Sequence, residues 1–305
     1  MTEPGRHGAL VGATASGKSA VASALARRDP SWELVSVDSM QVYRRMDIGT
    51  AKPTPAEQAE VPHHLIDLLE PWEDGTVAWF QGEARRVIAD IEARGKRALL
   101  VGGTGLYLQA VVDDLDIPGQ YPEARAEIEA EPDTEALHRR LSNLDPLAAS
   151  RMEPSNRRRI VRALEVTVGS GHPFSSYGPG LDARGDTPFR LVGLARAQED
   201  LATRIEDRYH AQMEAGFLDE VAALRADERG ISRTAAQALG YKELLAHLDG
   251  HLSLEEALDL AVRRTRQFAR RQRAWFRRDP RIHWVDASAA TDDNLLVDAV
   301  ASAVG

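Results

Sequence analysis

The 305-residue sequence contains no cysteine. Disulfides, thiol chemistry and cysteine-ligated metal centres are therefore excluded, and a reducing compartment is permitted. No apolar stretch approaches the ~20 residues that a membrane-spanning helix needs. Met1 to His7 carries no long apolar run behind its basic residues, so a secretory signal is not expected either. The expected setting is the cytoplasm. Internal repeats are absent, and so is a net positive charge. The formal net charge is −9 and the sequence pI about 5.5, an average that argues against a nucleic-acid partner.

Binding responds to local fields rather than to averages, and the basic residues are concentrated. Arg157, Arg158, Arg159 and Arg162 form one cluster, and Arg263 to Arg278 holds eight arginines and no acid. With 43% hydrophobic residues the chain can bury a sizeable core, and its length suits one core with an added lobe.

Ala9-Leu10-Val11, Leu34 to Val37 and Ala98 to Val101 read as short buried strands separated by helical patterns, the signature of a parallel α/β sheet. From Ile117 to about Gly171 only helical segments are visible, and Pro173 to Thr187 reads as a loop. Phe189 to Leu194 is strand-like again, helices dominate from Asp200 to Arg278, and Ile282 to Val285 is a candidate last strand. The predicted organisation is an α/β core of residues 1–118 and 189–305 with C-terminal helices, interrupted by a helical insertion lobe, 119–188. Residues after Asp286 are weakly patterned.

Gly12-Ala13-Thr14-Ala15-Ser16-Gly17-Lys18-Ser19 fits the P-loop pattern completely, with an apolar strand before it and a helix after it. The glycines let several backbone amides face one anion, and the helix N-terminus adds positive potential. Lys18 supplies a full charge and the Ser19 hydroxyl can ligate Mg²⁺. Such a loop indicates a polyphosphate, usually a nucleotide such as ATP, without naming the reaction. The usual owners carry an acid at the end of a later strand. Here Leu99-Leu100-Val101 runs into Gly102-Gly103-Thr104 without one. Asp38 ends the strand Leu34 to Val37, and strand ends face the ligand crevice in an open α/β sheet. General base, Mg²⁺ ligand and helix cap all remain open for it.

The motifs taken together resemble the tRNA dimethylallyltransferases, in their bacterial form. The likeness runs through the P-loop, Ser36 to Tyr43, Asp47-Ile48-Gly49-Thr50-Ala51-Lys52-Pro53, Pro62 to Asp67, Val101 to Tyr107, Arg158 to Glu165 and Gln237 to Lys242. Ala13 departs from a proline common in the family's loop, residues 120–150 match weakly, and the cysteine-bearing zinc finger of eukaryotic members has no counterpart. The resemblance implies a P-loop NTPase-like fold whose loop holds the pyrophosphate of dimethylallyl pyrophosphate. It implies transfer of the dimethylallyl group to the exocyclic amine of the adenosine 3′ of the anticodon, with Mg²⁺ as cofactor. Asp38 is then the general base, and Lys18, Arg208 and Thr104 complete the catalytic set. tRNA contacts are implied at Asp38, Ser39, Met40, Gln41, Thr104, Arg125, Arg158, Arg159, Ile160, Val161, Arg162, Gln237, Ala238, Leu239, Gly240, Tyr241 and Lys242. The implied partners are the tRNA anticodon stem-loop and the prenyl donor, bound by a monomer.

The stretch Arg263 to Phe276 has apolar residues at helical spacing, so one face is core. The eight arginines from Arg263 to Arg278, without a compensating acid, favour RNA phosphate contact for the other face. His63 and His64 do not share a face and have no carboxylate cluster in sequence, which points to structural or hydrogen-bonding roles rather than metal binding. Two rival readings compete: a P-loop kinase of a small molecule, which leaves both arginine clusters idle, and a non-catalytic RNA-binding regulator.

Overall fold

Ala9 and Val11 lie in one apolar layer and Leu10 in another, so the first strand is buried on both faces, as parallel sheets require. The computed structural model describes residues 6–178, 180–181, 183–288 and 293–305, without the side chain of residue 293. It divides into two compact units, Met1–Val112 with Asp186–Gly305, and Asp113–Gly185. These limits lie a few residues ahead of those drawn from composition, because the helix entering the inserted segment ends at Val112.

The first unit begins with β1 (His7–Gly12), α1 (Lys18–Arg28), β2 (Trp32–Val37), α2 (Pro55–Glu60) and β3 (His63–His64). It continues through α3 (Val77–Ala93), β4 (Arg97–Gly102) and α4 (Gly105–Val112). The second unit contains α5 (Pro122–Glu129), α6 (Thr134–Leu144), α7 (Pro146–Ser150) and α8 (Arg157–Ser170). The chain then returns to the first unit with β5 (Phe189–Ala195), α9 (Gln198–Glu214), α10 (Phe217–Arg225), α11 (Tyr241–Leu248), α12 (Leu254–Phe276), β6 (His283–Asp286) and α13 (Asp293–Val304).

Six parallel strands form one sheet in the order β3-β2-β4-β1-β5-β6. Four elements have no counterpart in the sequence reading: α2, α4, the two-residue β3, which is too short for a period, and α13, which lies within the weakly patterned stretch after Asp286. His63 and His64 are β3 itself: His63 Nδ1 donates to the Val61 carbonyl at 2.7 Å, and His64 Nε2 meets the buried Glu33 carboxylate at 2.7 Å. No helix of the described residues is long and apolar enough to cross a membrane.

The second unit packs Ile128, Leu137, Leu141, Ile160, Val161 and Leu164 into a core of its own. In α12 the buried residues Ala257, Ala261, Thr265, Ala269, Gln272 and Phe276 recur every three or four positions. Small residues on that stripe let the helix approach its neighbours closely, and a Ser253–Glu256 capping box starts it.

Candidate active site

The sheet order β2-β4-β1 decides the geometry. All three strands run the same way, so the segments that follow them emerge along one edge: Asp38 after β2, Thr104 after β4 and the P-loop after β1. Thr104 therefore lies between the other two, and its hydroxyl accepts the Ser39 N–H at 3.3 Å.

The P-loop curls because Ala15 and Gly17 take left-handed conformations, with φ of +63° and +95°. A Cβ at Gly12 would press on Ser16 Oγ at 2.8 Å, so the first glycine is needed for the tight return. Helix α1 starts with Gly17 at its N-cap, where no side chain caps the first turn. Its free amides are therefore left for an anion. Ser16 Oγ is buried and has no hydrogen-bond partner among the described residues.

Three arginines of the segment that follows β5 approach this loop. Arg208 Nη1 donates to Thr14 Oγ1 at 3.0 Å and Nη2 to the Gly49 carbonyl at 3.3 Å. Arg204 Nε donates to the Ala15 carbonyl at 2.9 Å and Arg196 Nε to the Ser16 carbonyl at 3.4 Å. None of the three forms an ion pair among the described residues. Lys18 is half-buried, and burial pushes its ammonium down to about 8; Asp38 pulls the value up and Arg208 pushes it further down. Four cations without a full set of counter-charges form an anion site inside an acidic protein. Arg196 and Arg204 were missed in the sequence. The available signal was the i,i+4 spacing of Arg204 and Arg208, which places both on one face of α9.

Asp38 is half-buried and its Oδ1 accepts the Met40 N–H at 2.9 Å, closing a local turn. It has no ion-pair partner among the described residues. Tyr107 stands close enough that burial, Tyr43 and Asp38 together raise its phenol to about 12.

The Asp47-to-Pro53 motif is a scaffold for Arg208. Glu220 accepts the N–H groups of Asp47, Ile48 and Gly49 at 2.9, 2.8 and 3.2 Å, and the Tyr241 hydroxyl at 2.5 Å. Gln212 Nε2 donates to the Ile48 and Gly49 carbonyls. Buried Lys52 joins Asp47, Asp67 and the Tyr43 carbonyl. A Cβ at Gly49 would overlap the rings of Phe217 and Tyr241, so only glycine fits there.

The family model described as IPP transferase matches residues 41–279, more than half of the chain. The chain belongs to the IPP transferase family. A tRNA dimethylallyltransferase of Kineococcus radiotolerans is 48% identical over 292 residues, which span 93% of this chain and 92% of that one. The structure of the full-length tRNA isopentenylpyrophosphate transferase of Bacillus halodurans is 38% identical with a TM-score of 0.71, covering 98% of this chain and 96% of that one. A eukaryotic dimethylallyltransferase solved acting on tRNA is 27% identical with a TM-score of 0.77, covering 93% of this chain and 74% of that one. Fold and enzyme class follow: an α/β prenyltransferase with a P-loop-like core.

Several residues expected to touch RNA have other work. Ile160 and Val161 are buried in the core of the second unit, and Ala238, Gly240 and Tyr241 are interior to the first. The side chains of Ile160, Val161, Ala238 and Tyr241 pack, and Tyr241 anchors Glu220. Gln41 accepts from Ser36 Oγ and donates to the Thr50 and Ala51 carbonyls. Met40 packs against the core. Arg162 donates to Glu165 and to the Pro118 and Gly119 carbonyls, while Arg125 joins Glu165 and Glu129. Glu165 is buried, so these two arginines compensate an interior charge. Arg158, Arg159, Gln237 and Lys242 are exposed, and Leu239 is half-buried.

The arginine-rich helix also finds acids outside its own run of arginines. Arg263 pairs with Asp259, Arg264 with the buried Glu243 at 2.5 Å, and Arg266 with Glu206 at 2.6 Å. Arg270, Arg273 and Arg277 have no ion pair among the described residues.

Proposed function

We propose that this chain transfers the dimethylallyl group of dimethylallyl pyrophosphate to the exocyclic amine of the adenosine 3′ of the anticodon, acting as a monomer. The observation that carries the reading is the single edge shared by an unpaired carboxylate, Asp38, and an anion cradle of P-loop amides, Lys18 and Arg208.

The amine attacks the allylic carbon, forming the N–C bond as the C–O bond to pyrophosphate breaks. The amine becomes acidic as its lone pair is used, and Asp38 takes the released proton. Negative charge grows on the departing pyrophosphate. The P-loop amides, Lys18 and Arg208 stabilise it where it develops. Thr104, between base and cradle, orients the acceptor amine. The base must leave its stack to reach these groups, at a cost of a few kcal/mol.

Among the described residues no group of three or more His, Asp or Glu side chains could hold a metal ion. Mg²⁺ keeps water and takes phosphate oxygens, needing only one or two protein ligands. Ser19 and the unpartnered Ser16 hydroxyl are oxygen donors on the loop and suit such a substrate-held ion, which would supply further charge neutralisation. For RNA, the exposed cations Arg158 and Arg159 and the side chains of Ser39, Gln237 and Lys242 are the contacts that geometry favours.

The test is mass spectrometry of tRNA after incubation with the protein, dimethylallyl pyrophosphate and Mg²⁺. A mass gain confined to the adenosine beside the anticodon is expected. Unmodified tRNA together with phosphoryl transfer from ATP to a small molecule would establish the kinase reading instead.

A further inference from the structure

Gln272 stands on α12, buried among the side chains that face the sheet, and is 6% exposed. A buried amide this close to a reaction edge must use its donors and acceptor or leave them at a cost. Its Oε1 accepts the Thr14 N–H of the P-loop at 2.8 Å, and its Nε2 donates to the Gly103 carbonyl at 2.9 Å. One planar amide thus bridges the loop after β1 and the turn after β4.

The surroundings are built to this contact. A Cβ at Gly103 would overlap Gln272 Nε2, and a Cβ at Gly105 would overlap the indole of Trp275, one turn farther along α12. The two glycines allow the helix to seat directly on the turn. Thr14 is held from the opposite side too, since its hydroxyl accepts from Arg208. Gln272 and Arg208 therefore grip one residue of the cradle through its amide and its hydroxyl. Gly103 precedes Thr104, which in turn receives the Ser39 N–H beside Asp38.

We infer that Gln272 is a positioning residue for the transfer, fixing the pyrophosphate cradle in register with the Thr104 turn. The inference rests on the prenyl-transfer reading for its kinetic consequence. Its binding consequence is independent of that reading. Gln272 touches no reacting atom. It sets the distance across which the donor and the acceptor must meet, and small errors in that distance are costly in rate.

Two variants test this. Gln272→Leu removes both hydrogen bonds at similar volume. Gln272→Glu keeps the acceptor for Thr14, but its carboxylate faces the Gly103 carbonyl unless protonated. A protonated carboxyl restores both bonds. Inorganic pyrophosphate affinity is measured by titration calorimetry well below each melting temperature, from pH 5 to 8 as experimental limits of roughly that range. Single-turnover transfer at saturating donor and tRNA affinity are measured beside it. For Gln272→Leu, pyrophosphate affinity and transfer rate are each expected to fall about 10-fold, equivalent to about 1.4 kcal/mol. tRNA affinity should hold within about twofold. The Gln272→Glu affinity, as a ratio to wild type, should recover as the pH falls.

A purely structural role lowers the melting temperature and leaves pyrophosphate affinity and single-turnover rate unchanged, which overturns the inference. If Gln272→Leu does not fold, a pH-independent ratio for Gln272→Glu overturns it alone. If wild-type protein binds pyrophosphate in this pattern but leaves tRNA unmodified, the prenyl-transfer reading fails and the positioning role stands.

Discussion

Arg208 donates to the Thr14 hydroxyl at 3.0 Å across 194 positions of sequence, tying the middle of α9 to the P-loop. Its other terminal nitrogen holds the Gly49 carbonyl. A fork with two fixed partners and a free edge is a preorganised clamp for an oxyanion. Lysine keeps the charge without the fork. Arg208→Lys is therefore expected to lose about 10²-fold in single-turnover rate, the scale of one oxyanion-type donor, with tRNA affinity unchanged. Quench-flow assays with labelled donor check this. A rate near wild type would show that charge alone suffices.

Lys18 gives a pH signature. Burial pushes its ammonium from the ordinary 10.5 to about 8, so the free protein loses this charge as the pH rises through that value. Pyrophosphate binding favours the ammonium and raises its pKa again. Donor affinity should fall above pH 8, and binding there should take up a proton. Calorimetry in buffers of different ionisation enthalpy reads that uptake directly. The stability sign is the reverse. From about 8 to 10.5 the unfolded chain binds more protons at this site, so stability rises with pH in that window, and the penalty is full below it. Lys18→Met should therefore melt higher than wild type at pH 7 while losing nearly all donor binding. A variant that binds pyrophosphate normally would remove Lys18 from the cradle.

Asp38→Asn isolates the general base. Asparagine keeps the Oδ1 acceptor for the Met40 N–H, so the local turn should persist. The melting curve and tRNA affinity should match wild type, with the transfer rate down at least ~10²-fold. An unchanged single-turnover rate would leave Asp38 as a turn cap.

Glu220 is expected to act at a distance through Arg208. Alanine there strands three backbone N–H groups and the Tyr241 hydroxyl. Each buried polar group left unpaired costs about 1–3 kcal/mol. Glu220→Ala should lose at least ~2 kcal/mol of stability by urea unfolding. It should also weaken donor binding, because the Gly49 carbonyl no longer holds the guanidinium. Wild-type stability would show that water replaces the carboxylate.

Strands β1, β2, β4 and β5 were legible because runs buried on both faces need no periodicity, and the P-loop because its glycine spacing is dictated by backbone geometry. The topology was not legible. Nothing local says that β4 inserts between β1 and β2, yet that order puts Thr104 between Asp38 and the cradle. Family motifs carried Arg208, but the same motifs mixed scaffold with site. Tyr241 and Gly49 are held by packing, and their neighbours in sequence are not thereby contacts. Pairing across helices was hidden as well: Arg264 looks unopposed in sequence and meets Glu243 in space.

Arg158, Arg159 and Arg162 sit within five positions on α8, but their surroundings differ. Arg162 is spent on Glu165 and two carbonyls, whereas Arg158 and Arg159 are exposed and have no ion pair among the described residues. Arg158→Ala with Arg159→Ala should flatten the log–log salt slope of tRNA binding by about 1.5, at roughly 0.7 to 0.9 per phosphate contact. The melting temperature should not change, since neither side chain supports the fold. Arg162→Ala should do the opposite. It leaves the buried Glu165 with one arginine fewer, so stability falls while the slope moves little. Titrating tRNA at several salt concentrations beside melting curves separates the cases. An unaltered slope in the double variant would remove this face of α8 from the RNA site, whatever the net charge of −9 permits elsewhere on the surface.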